Sequence, residues 1–177
     1  SLNLPMAFEL SKSLNGLLNS LSVPSLGPEQ RADSMPLSRL KDKLETTISQ
    51  ANLRGENADL VRSTVLLWHD HLNESHTISQ GINSSDGSYL HAIMHRREPD
   101  YSNAQYWFNR TGNHPAFRQV HQRAEEFLDP FELHRKTGWN VEYTGMVDAV
   151  SQVHGECDLL QQVQRIEFEV LLERFCS

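Results

Sequence analysis

Five of the nine histidines in this 177-residue chain fall between positions 69 and 95, in the segments W-H-D-H-L-N-E-S-H and Y-L-H-A-I-M-H-R-R-E-P-D. His91 and His95 are four residues apart. On a helix they sit about 40° apart around the axis, so both imidazoles leave the same stripe, and Glu98 follows three positions later. Two neutral imidazoles and a carboxylate form a donor set that zinc, iron(II) or manganese accepts. In the preceding helical stretch, His69 and His76 point within about 20° of each other but are separated by about 10.5 Å of rise. One of them, not both, can therefore join His91 and His95. His71 points to the opposite flank. Any one of these imidazoles, taken alone, is read as hydrogen-bonding a carbonyl or carboxylate in a helix seam. The spacing of the group is what points to a divalent-metal site, with His69, His76, His91, His95 and Glu98 as its candidates.

Two arginines follow directly. Arg96 fits a structural role, a cation near a helix C-terminus. Arg97 could instead join Tyr106 and Trp107 in holding a small anionic metabolite, since a guanidinium fork matches carboxylate and phosphate. Tyr106, Trp107 and Phe108 are consecutive and cannot all face one core on a helix. His69-Asp70 is an H-D dipeptide, but no histidine precedes it in the chain, so the ligand set of the HD phosphohydrolases is incomplete. In H-A-I-M-H, Ala92 stands where a zincin places its general-base glutamate. No G-x-S-x-G elbow, phosphate-binding glycine loop or C-x-x-C pair is present, and neither Cys157 nor Cys176 has an evident activating partner.

These residues need helices to position them, and apolar spacing supplies them. Leu10, Leu14, Leu18 and Leu21 suggest a weakly specified first helix, broken at Pro24, Gly27 and Pro28. Leu37, Leu40, Leu44 and Ile48 mark a second. A long helix is expected over 58–80, capped by Asn57, followed by a turn at 81–85. Asp86 is expected to cap a shorter helix that ends before Pro99. An aromatic helix over 100–110 stops at Gly112, another starts at Pro115, and 129–138 reads as a polar loop. Two helices complete the chain, one marked by Tyr143, Val147, Val150 and Val153, the other by Leu160, Val163, Ile166 and Val170, with Gly155 as a hinge. No period-two strand appears. The expected fold is an all-α single-domain bundle of six to eight helices, with an N-terminal helical arm over 1–34 and a helical domain over 35–177.

The stretch 66–117, with the two segments above extended through Y-S-N-A-Q-Y-W-F and G-N-H-P-A-F, resembles a family of bacterial and fungal proteins to which no activity attaches. The resemblance covers roughly the middle third of the chain. It implies that these segments form one structural unit and carries no catalytic role.

Composition narrows the function classes. Sixteen Lys and Arg against 23 Asp and Glu give a formal charge of −7, the wrong sign for nucleic acid or an anionic membrane. Two cysteines are too few for a disulfide framework and imply a reducing, cytoplasmic setting. Three readings stand. A divalent metal (Zn, Fe or Mn) would support hydrolysis or oxidation of a small molecule. A metal-free pocket would bind a small anionic metabolite. A structural or interaction protein would use the histidines as a buried hydrogen-bond network, with the leucine-rich arm docking on a partner or making a homo-oligomer.

Overall fold

The computed structural model describes residues 3–19, 22–137, 143–153 and 157–177. Among the described residues, ten helices run in chain order: α1 (Asn3–Asn19), α2 (Leu37–Gln50), α3 (Gly55–Trp68), α4 (Leu72–Ser79), α5 (Ser85–Arg97), α6 (Tyr101–Thr111), α7 (Pro115–Phe127), α8 (Pro130–Thr137), α9 (Val147–Gln152) and α10 (Asp158–Cys176). No strand occurs among the described residues, so the all-α single-domain expectation holds. The count exceeds six to eight for two reasons: the expected 58–80 helix is split, and the expected loop at 129–138 winds into α8.

The 19-residue α10 is the central element, packed against α1, α3 and α7. Its stripe of Leu160, Val163 and Val170 is buried, as are Phe168, Leu171, Leu172 and Phe175. Trp68 meets Phe168 edge-on at 5.5 Å, a favoured geometry for aromatic pairs. Leu40, Leu44 and Ile48 bury one face of α2, as the four-residue spacing requires. Residues 1–34 contribute Leu14, Leu18 and Leu26 to the same core. The carbonyls of Pro24, Ser25 and Gly27 accept hydrogen bonds from Gln161, Gln164 and Arg97 respectively. Gly155 lies outside the described residues.

The split between α3 and α4 sets the geometry of the site. α3 closes in a Schellman arrangement: the His71 N–H donates to Leu66 O (2.9 Å) and the Asp70 N–H to Leu67 O (3.1 Å). The residue in the left-handed position is Asp70, at φ +68°. Aspartate visits this region more readily than most residues, and here two arginines fix it. Arg31 donates to its Oδ2 through both backbone N–H and Nε (2.8 Å each), and Arg97 donates to its Oδ1 (2.9 Å). Asp70 is thus buried in the core, whereas a continuous helix would aim it away from the apolar stripe.

The cap residues also differ from expectation. Arg54, not Asn57, occupies the N-cap of α3. Ser84 caps α5, its Oγ accepting from the Gly87 N–H. Asp86 lies within the first turn and pairs instead with His114 (2.5 Å) and Arg174 (2.8 Å). Glycine is required at position 87, because a Cβ there would stand 2.3 Å from the Ile82 carbonyl oxygen. α6 is capped by Asp100, whose Oδ1 accepts from the Asn103 N–H, and ends at Gly112 with φ +69°. Pro115 opens α7 behind a His114 cap, the position where a missing N–H does no harm.

A candidate metal centre between three helices

α5 is buried along nearly its whole length and carries ionisable side chains on two faces. On the first, Arg96 and Arg97 are fully inaccessible. Arg96 forks onto Glu167 (2.7 and 3.2 Å) and also donates to Gln164 Oε1 and Gly145 O. Tyr89 donates its hydroxyl hydrogen to Glu167 at 3.1 Å. Desolvation nevertheless pushes the Glu167 carboxyl above its ordinary range. Arg97 donates to Asp70, Leu67 O and Gly27 O. It is therefore a core cation joining α5 to the α3 C-terminus and the 22–34 segment, apart from Tyr106 and Trp107.

On the second face, one turn of helix places His91 beside His95, their rings stacked at 4.7 Å and 26°. His76 approaches from α4. Its Nε2 lies 3.0 Å from His91 Nε2, and its ring centre 5.4 Å from that of His95. One ligand nitrogen from each of the three histidines falls within 4.8 Å of the other two. His91 and His95 are buried, and His76 is half-buried at the edge.

The second layer is also specified. His95 Nδ1–H donates to Glu98 Oε2 (3.1 Å) across the last turn of α5. This fixes the tautomer and leaves His95 Nε2 as an acceptor, which receives the Asn103 Nδ2–H at 3.2 Å. Trp107 of α6 stacks flat on His91, with centroids 3.9 Å apart and planes at 17°. It closes the cluster on that side. Tyr106 is 52% exposed and Phe108 is buried, so the three consecutive aromatics divide among rim, wall and core. Glu98 and Asp100 stand exposed at the rim, and either carboxylate can come within 4.8 Å of a His95 nitrogen.

Packing disfavours the charged form of two of the imidazoles, His91 and His76. Burial lowers the His91 pKa to about 4, with His95 and His76 adding repulsion against a positive charge. His76 is lowered by desolvation first and then by His95, against an upward pull from Glu98. Neutral imidazole is the form that binds a metal.

Of the two candidates from the preceding stretch, His76 joins His91 and His95, and His69 does not. His69 caps α3 with its ring wholly buried, and neither ring nitrogen has a hydrogen-bond partner. Its charged neighbours are Arg31, His71 and Asp70, and its pKa falls to about 4, chiefly through desolvation. His71 turns away and hydrogen-bonds the Met35 carbonyl (2.7 Å).

Sequence reasoning missed Asn103, whose i+8 relation to His95 spans a helix boundary, and Arg110, whose guanidinium lies over Trp107. A cavity of about 1050 Å³ opens elsewhere, lined by residues including Asn113, His114, Arg118 and Tyr143. His114 already uses both ring nitrogens, on Asp86 and on the Ala116 N–H.

No helix among the described residues is long and apolar enough to cross a membrane. No family model, curated protein or solved structure matches the chain.

Proposed function

We propose that His76, His91 and His95 form a three-imidazole centre for a divalent transition metal, zinc foremost, serving hydrolysis of a small molecule. The observation that carries this reading is the convergence of three imidazoles from two helices, one nitrogen of each within 4.8 Å of the other two. In tetrahedral zinc coordination, nitrogens about 2.0–2.1 Å from the metal lie roughly 3.3 Å from one another. The 3.0 Å His76–His91 separation therefore needs to widen by only a few tenths of an ångström.

The engagement of Glu98 favours hydrolysis over oxidation. A non-haem iron oxygenase uses two histidines and one carboxylate as direct ligands. Here the carboxylate is engaged by His95 Nδ1–H, the outer-shell arrangement that orients a ligating histidine and raises its basicity. Three neutral nitrogens leave a fourth position for water, whose pKa zinc lowers to about 7. The Asn103 amide would yield its hydrogen bond to His95 Nε2 when the metal binds, and could then hold the coordinated water.

The test is elemental analysis of untagged protein, followed by reconstitution with zinc, iron(II) and manganese. About one equivalent per chain is expected. The His91→Ala/His95→Ala variant should take up none while keeping its helical circular-dichroism signal. Wild-type protein that takes up no metal would overturn the proposal and leave the cluster as a hydrogen-bonded structural network.

A further inference from the structure

Arg110 differs from most of the other arginines in the chain. Eight others reach a carboxylate within ion-pair distance. Arg110 has no such partner among the described residues, in a chain with a net charge of −7. It is exposed, yet its guanidinium is not loosely placed. Its carbon lies 5.3 Å from the Trp107 ring centre and 5.9 Å from that of Tyr106. One Nη1–H reaches the Tyr106 hydroxyl at 3.4 Å. Tyr106 and Trp107 meet edge-to-face at 5.4 Å, making a two-walled rest for the cation. Trp107 in turn lies flat on His91. Only one indole therefore separates an imidazole of the proposed centre from a held guanidinium whose remaining donors are open.

Resting on the metal-centre reading, we infer that Arg110 recognises the oxyanion of the ligand, and that the ligand is a small phosphate ester or carboxylate. An aromatic-stacked guanidinium keeps its planar fork presented, and this fork binds two oxygens of a phosphate or carboxylate in parallel. Cation–π contact holds the group without neutralising it, so its charge is retained for an incoming anion. A free carboxylate in its place would repel the same ligand. The anion binder envisaged from the sequence thus finds its cation in Arg110, while Arg97 is committed to Asp70.

Two separable measurements on the full-length protein test this. Cobalt(II) is titrated first into wild type, Arg110→Gln and Arg110→Lys. Inorganic phosphate and, in a parallel arm, succinate are then titrated into the cobalt-loaded proteins by calorimetry, with the cobalt d–d absorption recorded. Cobalt should bind all three proteins equally. At least one anion should bind the wild type saturably. Its affinity should fall roughly tenfold to a hundredfold in Arg110→Gln, as loss of a charge-assisted bond predicts, with partial rescue in Arg110→Lys. A response confined to phosphate assigns the ligand as a phosphate ester, and one confined to succinate as a carboxylate. Cobalt binding with equal anion affinity in wild type and Arg110→Gln, or with no anion binding, overturns the role of Arg110 alone. Failure of the wild type to bind cobalt overturns the metal centre and this inference together.

Discussion

The two faces of α5 handle their polar side chains in opposite ways. On one face, Arg96 and Arg97 enter a water-free interior, and the fold surrounds each with acceptors: a carboxylate for each, two backbone carbonyls for Arg97, and an amide oxygen and a carbonyl for Arg96. On the other, His91 and His95 meet a third imidazole, with one carboxylate at the rim. A guanidinium paired with a buried carboxylate from within the chain has little left to offer a ligand, although Arg96 Nε is buried without a partner. The three imidazoles are held instead by one another and by neutral or rim groups, His76 Nε2 by His91 Nε2 and His95 Nε2 by the Asn103 amide, contacts that a cation could replace. Polar burial therefore does not by itself mark function. Pairing with a buried opposite charge is what separates the arginine face of α5 from the imidazole face.

The largest effect should come from breaking the arginine face. Arg96→Met leaves Glu167 buried without its countercharge, a change that typically costs about 3–5 kcal/mol. Arg96→Met/Glu167→Leu removes both charges and should recover most of that loss, since the carboxylate is already strained by desolvation. Urea denaturation of the two variants at pH 7 checks this. Equal destabilisation of single and double variants would mean that the pair contributes through packing rather than charge, and the contrast between the faces would weaken.

Acid separates the faces next. An unfolded histidine titrates near 6.5, whereas His91 and His69 are each held to about 4 in the fold, chiefly by burial. Between those values the unfolded chain takes up protons that the native chain refuses. The stabilisation is thus fully present above pH 6.5, is lost as pH falls toward 4, and changes little below that. Each site contributes on the order of 3 kcal/mol across the window. Glu167 acts in the opposite sense, because its raised carboxyl becomes less of a burden as it protonates. His91→Gln should remove the share of His91 from the pH dependence and leave that of His69. Denaturation midpoints at pH 7, 6 and 5 measure it. An unchanged slope in His91→Gln would show that the imidazole face titrates freely.

The sequence made the imidazole face legible because it depends on spacing within one helix. His91, His95 and Glu98 share a stripe on any regular helix, and the approach of a third histidine needs only an antiparallel neighbour. The choice between His69 and His76 was not legible, because it turned on a helix break at Asp70. Such breaks are usually signalled by glycine, whereas this one depends on Arg31 and Arg97, partners 39 and 27 residues away. The role of Arg97 was hidden for the same reason. Helix α8 was missed because Phe131 is 70% exposed and Leu133 is fully buried, too sparse an apolar stripe to register. The arginine face is least legible of all: Glu167 is an ordinary acidic residue on an amphipathic helix until the rotation of α10 against α5 is known.

The smallest expected effect is also the sharpest probe of the imidazole face. Glu98→Gln replaces a 41% exposed carboxylate whose buried partner, the His95 imidazole, the amide oxygen can still hold, so stability at pH 7 should move by less than about 0.5 kcal/mol. The amide still accepts from His95 Nδ1–H, so the ring keeps its orientation, but the negative charge that strengthens the imidazole as a donor is gone. For an outer-shell carboxylate of this kind, metal affinity should drop roughly 10- to 100-fold, while stoichiometry stays at one. Competition with a chromophoric zinc chelator gives the affinity, and thermal unfolding in excess chelator gives the stability. Loss of stoichiometry would instead make Glu98 a direct ligand, moving the site toward two imidazoles and a carboxylate and reopening oxidation as its chemistry. Unchanged affinity would mean that the His95–Glu98 contact is incidental, leaving the three imidazoles to bind without outer-shell support.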